Sequence, residues 1–320
     1  MARTKWSARD IPDQTGKTVV VTGANRGIGF HAARMLAANG AQVILAVRDE
    51  RRGQRAAERI TRDSPDASLR VSLLDLANLA SVRHFAEEFV GAYETLDLLL
   101  NNAGIMAIPF RRTVDGFEMH FGSNHLGHFA LTGLLFPALL AAPSARVVTV
   151  SSINHYYGRI AFDNLHGERR YNGWLAYGQS KLANLLFAFE LQRRFARARV
   201  RSISVACHPG YTSTNLQLVG PRMRGSRTEE AFWRAAHLFG QDAASGALPL
   251  VYAAVSPDVK GGEYIGPGRL FGLRGHPVTV RSSRRARDGE TAERLWEVSE
   301  ELTGVRYAFP HRSRRALSAD

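Results

Sequence analysis

The sequence predicts a doubly wound α/β fold, a parallel sheet of about seven strands with helices on both faces. Two patterns predict it. Short, almost wholly apolar runs alternate with segments of helical spacing along the chain. Such runs mark strands buried on both faces, as in a parallel sheet covered by helices. The first run also ends in a glycine-rich turn that opens a helix, the arrangement that receives ligands at the carboxyl edge of an open sheet.

Taken in order, residues 18–21 (Thr-Val-Val-Val) are the first strand and 28–38 the first helix. Residues 42–47 are a second strand, 50–62 a polar helix and 69–74 a third strand. Over 79–93, Val82, Phe85, Phe89 and Val90 recur at helical spacing. Residues 96–100 are a nearly all-apolar fourth strand. One long helical region is expected over 114–140, then a strand at 146–150, a helix at 175–194, a strand at 200–206 and a short seventh strand at 263–265. No composition break, internal repeat or low-complexity segment divides the chain. Residues 17–304 are therefore expected to form one domain. Residues 1–16 are an N-terminal extension and 305–320 a basic C-terminal tail, solvated from Arg306 onward.

The 320 residues are 45% hydrophobic and 22% charged, enough to bury a full core without disulfides or structural metal. Cys207 is the single cysteine, so no intramolecular disulfide forms, which suits a reducing cytoplasm. Residues 1–16 carry Arg3, Lys5, Arg9, Asp10 and Asp13 and lack the apolar run of a signal peptide. No apolar stretch reaches the length of about 18 residues that spans a bilayer, so no transmembrane anchor is expected. The net charge of +13 raises nucleic-acid binding as a possibility. The arginines, however, are spread along the chain, with clusters at 281–287 and 312–315 and no helix-turn-helix, zinc-finger or RNP motif, so no nucleic-acid partner is expected. The eleven histidines show no metal-ligand spacing, and no metal is expected. His125, His128 and His155 read as packing or pocket residues, and Cys207 as a small core residue.

Three segments carry chemistry. Thr22-Gly23-Ala24-Asn25-Arg26-Gly27-Ile28-Gly29 follows the first strand. Glycines serve where the chain turns sharply and where backbone must approach a pyrophosphate, and the helix N-terminus adds N–H donors and a positive dipole. Tyr177 and Lys181 stand four apart on a helix and share a face. A neighbouring ammonium favours the phenolate, so the tyrosine is expected to titrate below its usual value near 10. It would then act as general acid in reduction and general base in oxidation. Ser152 follows the fifth strand, at the sheet edge where ligands bind.

Together with Asp75-Leu76, Asn101-Asn102-Ala103-Gly104, Asn124, Ser151-Ser152, Tyr177-Gly178-Gln179-Ser180-Lys181 and Pro209-Gly210, in that order, the chain resembles the short-chain dehydrogenase/reductase family with its Rossmann-type sheet. Asn124-His125-Leu126-Gly127-His128-Phe129, Ser180-Lys181-Leu182-Ala183-Asn184 and Leu295-Trp296-Glu297-Val298-Ser299 look like its retinol-dehydrogenase and WW-domain-oxidoreductase branch. Membrane-bound retinol dehydrogenases carry an apolar N-terminal anchor, which residues 1–16 do not provide. The resemblance implies that Lys181 also binds the nicotinamide ribose and that Ser152 bonds the substrate oxygen while Ser151 is structural. It implies that Asn124 holds a water near the lysine. Asp75 and Leu76 then lie near the adenine, and Asn102, Ala103 and Gly104 near the adenosine ribose. Pro209, Gly210 and Thr212 or Thr214 hold the carboxamide.

NADP(H) is the expected cofactor. NAD-binding sheets usually end their second strand in an acid that takes the ribose 2′-OH, whereas here Val47 stands at that place and Arg48 follows. Arg26 lies in the glycine turn, and guanidinium suits phosphate. The substrate is expected to be a lipophilic carbonyl or alcohol under two lid segments. One is 154–174, with His155, Tyr156, Tyr157, Phe162 and Trp174. The other runs from Leu216, Leu218 and Met223 to Phe232, Trp233, Leu238 and Phe239. Tyr157 and Trp233 are its named contacts. Arg222, Arg224 and Arg227 beside that apolar stretch allow a weak membrane-surface contact. A monomer or homodimer is expected, because the inserted segment can cover the helix of Tyr177. The alternative function is a non-catalytic cofactor-sensing or interaction protein that retains the fold.

Overall fold

The structure, a computed structural model, describes residues 5–213, 216–236 and 240–310. One sheet of eight strands runs through it in the order β3-β2-β1-β4-β5-β6-β7-β8. These are β1 (Thr18–Thr22), β2 (Gln42–Val47), β3 (Leu69–Leu73), β4 (Leu98–Asn101), β5 (Arg146–Val150), β6 (Ile203–Cys207), β7 (Tyr264–Arg269) and β8 (Arg274–Thr279). β1 to β7 pair in parallel, and β8 returns antiparallel to β7. The doubly wound reading holds, with one strand more than expected.

The sheet order reverses between β1 and β4, so the crevice of the switch point opens beside the glycine turn. On one face, α1 (Gly27–Ala37), α2 (Glu50–Asp63) and α9 (Ala243–Val255) cover Val19, Val21, Leu45, Val148 and Val205. On the other, α3 (Leu79–Ala92), α4 (Gly127–Leu134), α5 (Phe136–Ala141), α6 (Gly173–Arg197) and α10 (Gly289–Thr303) bury Val20, Leu99, Phe129, Phe136 and Trp296. The helices α7 (Leu216–Arg224) and α8 (Arg227–Ala236) follow β6.

Three expectations are corrected. The helix placed over 114–140 starts at about Met119 and is broken at Leu135. Gly116 at φ +87° turns the chain first, Arg112 bridges Glu118, and Asp115 accepts from Leu79 N–H. Asn124 then lies in a π-helical turn, Phe121–Leu126, a form that concentrates at functional sites. The second correction is β8, whose Pro277 and Gly275 are tolerated because it is the edge strand. Third, residues 305–310 are not a free tail, because their alternate side chains Val305, Tyr307 and Phe309 turn into the body while Arg306, Ala308 and Pro310 stay exposed. Tyr307 is buried, donates its hydroxyl to Phe129 O (2.7 Å) and packs on Trp296 (centroids 4.5 Å apart), and Phe309 packs on Phe136 (4.8 Å). Expected boundaries blur at the other end too, where Ile11 is buried and Trp6 packs edge-on against Tyr252.

The turn joining β7 to β8 is unusual. Leu270, Phe271 and Gly272 all take positive φ (49°, 55° and 83°), a region costing roughly 1–2 kcal/mol for each residue bearing a side chain.

Candidate active site

Thr22 ends β1, and its hydroxyl gathers the neighbouring turns. It accepts from the N–H groups of Asn102 and Ala103 (2.9 Å each) and lies 2.9 Å from His128 Nε2. Asn102 Nδ2 donates to Thr22 O (2.8 Å). Two glycines fit this turn for different reasons. Gly23 has φ +68°. A Cβ on Gly29 would stand 2.4 Å from Asn102 Nδ2 and 2.6 Å from Gly23 O, so only glycine lets α1 approach the end of β4. Arg26 is the N-cap of α1 and gives it no side-chain cap, and Gly27 and Ile28 follow. The first N–H groups of α1 thus have neither an intrahelical acceptor nor a side-chain cap from Arg26, a terminus suited to an anion.

At the end of β2, Val47 is buried and Arg48 exposed. Partial burial, then the charges of Arg52 and Arg48, hold the Arg26 guanidinium below its usual range, so three cations converge there. The residue after Arg48, Asp49, is an acid engaged by α2. It caps Arg52 N–H (3.0 Å) and pairs with the Arg52 guanidinium (3.1 Å). Asp75 accepts from Ala77 N–H (3.0 Å), and Leu76 packs so closely on Gly127 that a Cβ there would meet Leu76 O at 2.4 Å.

Tyr177 is 4% exposed, beside Met106 and Ala107. Burial pushes its hydroxyl up to about 12, and a hydrogen bond with Ser152 opposes that rise. The expected fall is thus reversed by burial, with Lys181 Nζ 5.7 Å from the ring centroid. Lys181 is itself buried, brought down to about 8 by desolvation, and donates to Val150 O (3.1 Å). Asn184 donates to the same carbonyl (3.0 Å). Ser151 is buried and donates to Lys181 O (2.8 Å), a contact with the α6 backbone. Ser152 caps the short helix Ile153–Tyr156 and points its hydroxyl to Tyr177. Asn124 clamps the loop after β4, accepting from Ile105 N–H (2.9 Å) and donating to Ile105 O (3.0 Å) and Ser180 Oγ (2.9 Å). Gly104 lies between Asn124 and Lys181, where a Cβ would meet Asn124 Oδ1 at 3.2 Å and Lys181 Nζ at 3.4 Å.

On the far side, Pro209 O accepts from Thr212 Oγ1 (2.9 Å) and Gln241 Nε2 (2.6 Å). Gly210, at φ +69°, lies so close to Leu273 O that a Cβ would come within 2.4 Å. Thr214, Leu238 and Phe239 lie outside the described residues. The two segments expected to form a lid meet through Trp174 and Trp233 (centroids 5.8 Å apart). Tyr157 is 74% exposed and stands outside that pair. His155 is fully buried, and Phe162 lies under the Arg294 guanidinium (4.0 Å), so these two serve the body of the molecule.

A buried polar cluster behind Tyr177 gave no motif in the sequence. Glu118 Oε1 lies 2.7 Å from His120 Nδ1 and accepts from Tyr171 OH (3.1 Å), while Glu118 Oε2 accepts from Phe121 N–H (2.7 Å). Burial pushes the carboxyl up, but His120 and the backbone donors outweigh it and hold it below the usual range. His120 accepts from Ile108 N–H (3.3 Å), and its ring faces that of Tyr177 (6.2 Å). The sequence shows Thr22 and Asn184 only as members of motifs, without these contacts, and does not single out Arg52. Their positions, next to Gly23, four after Arg48 and three after Lys181, were the available signals.

Comparison with known proteins agrees with this geometry. The chain matches the short chain dehydrogenase family over residues 17–221. It is 42% identical to mouse retinol dehydrogenase 12 over 294 residues, covering 91% of this chain and 88% of the relative. It is also 42% identical to human retinol dehydrogenase 11 over 290 residues, 91% and 86% of the two chains. A crystal structure of an uncharacterised protein from Mycobacterium paratuberculosis superposes with a TM-score of 0.79 at 45% identity, covering 96% of this chain and 100% of the other. Among the described residues no helix is long and apolar enough to cross a membrane. The buried tyrosine and lysine on α6 thus sit in a family frame that spans most of the chain, and the protein belongs to the short-chain dehydrogenases, oxidoreductases using a nicotinamide nucleotide, on a retinol-dehydrogenase-like branch.

Proposed function

We propose that the chain is an NADP(H)-preferring enzyme that interconverts a carbonyl and an alcohol on a lipophilic small molecule, with Tyr177, Lys181, Ser152 and Asn124 at the reacting end. The observation that carries the cofactor reading is the convergence of Arg26, Arg48 and Arg52 at a second-strand end where the adjoining acid, Asp49, is already paired. The uncapped N-terminus of α1 and the close glycine turn fit a pyrophosphate. Gly23, Asn25, Arg26, Gly27, Ile28 and Gly29 would hold it, with Arg48 on the 2′-phosphate. Asp75, Leu76, Asn102, Ala103 and Gly104 would line the adenosine, and Pro209, Gly210 and Thr212 the nicotinamide. When bound, the nucleotide supplies or accepts the hydride.

The chain's own residues handle the proton. Tyr177, held as a neutral phenol, donates its O–H proton to the substrate oxygen in reduction and recovers it in oxidation. Ser152 aligns that oxygen by hydrogen bonding. Lys181 lies beside the tyrosine, and its ammonium counters the phenolate left after proton donation. Asn124 and Ser180 fix loop 105–108 over the site. Trp174 and Trp233 wall an apolar approach to it, with Tyr157 an outer contact of the same lid. The reading includes a cytoplasmic location and a monomer or homodimer. α10 covers α6 through Trp296 stacked on Phe187 (centroids 5.8 Å apart), which leaves less of α6 to pair.

The test is kcat/KM for a ladder of ketones of rising apolar size with both nucleotides. NADPH should be preferred by about tenfold or more, most of it lost in Arg48→Ala. KM should fall as the ketone grows and rise for the largest members in Trp233→Ala. Equal use of NADH, or a flat ladder, rejects the corresponding half of the proposal.

A further inference from the structure

The hairpin tip between β7 and β8 carries residues ill-suited to its shape. Arg269 O accepts from Gly272 N–H and Leu270 O from Leu273 N–H (3.1 Å each). With φ positive at both central residues, Leu270 and Phe271, the first of these is a type I′ turn, whose favoured pair is Asn-Gly. Two bulky apolar residues hold it instead, and burial does not compensate them. Phe271 is 102% exposed, and Leu270 and Leu273 are exposed as well. Strained backbone of this kind concentrates at functional sites.

The tip has a fixed place. Leu273 O accepts from Tyr211 N–H (2.9 Å), which pins it to the loop after Pro209, at the carboxyl edge of the sheet. Trp174 and Leu175 at the start of α6 and Phe232 on α8 are further exposed apolar side chains around that edge. Arg269 and Arg274 face each other across the neck of the hairpin, both exposed. A protruding apolar tip above a pair of arginines, on a chain of net charge +13, complements an anionic bilayer. The apolar groups enter the headgroup boundary while the guanidiniums stay at the phosphates.

We propose that the β7–β8 tip is a membrane wedge that seats Leu270 and Phe271 in an anionic lipid surface and turns the active-site edge toward it. The wedge does not depend on the substrate or cofactor reading, and its test uses no turnover. The full chain is sedimented with vesicles of equimolar phosphatidylcholine and phosphatidylglycerol, and with phosphatidylcholine alone. The wild type should bind the anionic vesicles and largely leave the neutral ones. Leu270→Asn with Phe271→Gly installs the preferred turn pair, so Tm should hold or rise while vesicle affinity falls by about tenfold or more. Phe271→Asp is a second variant that keeps Leu270 and should lose binding likewise. No wild-type binding to anionic vesicles, or undiminished binding in both variants, overturns the proposal. Light scattering that shows a wild-type dimer split by the double variant assigns the tip to a second copy of the chain and overturns it too.

Discussion

Tyr177 shows what burial does to a single hydroxyl. On a solvated helix a lysine four residues on would pull the phenol down. Here burial has taken it to about 12, and Lys181 has itself fallen to about 8. The pair therefore enters neutral solution as phenol and ammonium, ready to give a proton. Tyr177→Phe removes that proton and little volume. Turnover should fall by a factor on the order of a hundred to ten thousand, while NADP(H) titration by fluorescence gives nearly the same Kd. A well-folded variant with substantial activity would reject the role. The Tyr177–Lys181 pair and the glycine turn showed in the sequence through local spacing, whereas Ser152 and Asn124, 25 and 53 residues before Tyr177, were reached through the family resemblance. The direction of the tyrosine's shift did not show, because it depends on what the fold packs around the ring.

The segment between Ser152 and α6 is held at several points, among them Ala161 N–H to Gln179 Oε1 and Arg285 to Gly158 O, and one hydroxyl ties it to the loop beside Tyr177. Tyr171 OH reaches Glu118 Oε1 (3.1 Å), Ile108 O (3.1 Å) and His120 Nδ1 (3.2 Å), joining the insertion to loop 105–108 and the π-helical turn. Tyr171→Phe leaves a buried carboxylate short of a donor and should cost about 1–3 kcal/mol of stability. It should also raise KM for large ketones more than it lowers kcat, since the lid loses this anchor and the proton donor is untouched. Equal stability and unchanged KM would show that the tie is idle. Sequence spacing could not reveal this tie, because its partners lie 53 residues apart. The same limit explains the misplaced helix start. Val114, Phe117 and Phe121 keep helical spacing across the Asp115-Gly116 turn, so periodicity ran on where the backbone did not. The apolar strands β1, β2, β4 and β5 carried no such ambiguity and lie within two residues of where their patterns put them.

Across the whole molecule, buried neutral histidines set the response to acid. Burial brings His125 and His208 down to about 3 and His128 to about 4, against an ordinary value near 6.5. As pH falls, the unfolded chain takes up these protons first, so stability is lost progressively from about pH 6.5 toward the folded values. Each ring contributes on the order of 1–2 kcal/mol of this loss by about pH 5. Thermal melts should show Tm dropping steeply over that window, and His125→Leu should flatten the drop. A Tm independent of pH from 7 to about 5 would contradict it.

The strap at 305–309 also bears on how the chain is made. Tyr307 bonds Phe129, 178 positions earlier, and Phe309 packs on Phe136 and Phe195. One half of the core therefore cannot close while the ribosome is still adding these residues, although the sheet and its helices have already been synthesised. The nascent domain must wait with Phe129, Phe136 and Trp296 incompletely covered, a state of exposed apolar surface that invites chaperone capture or aggregation.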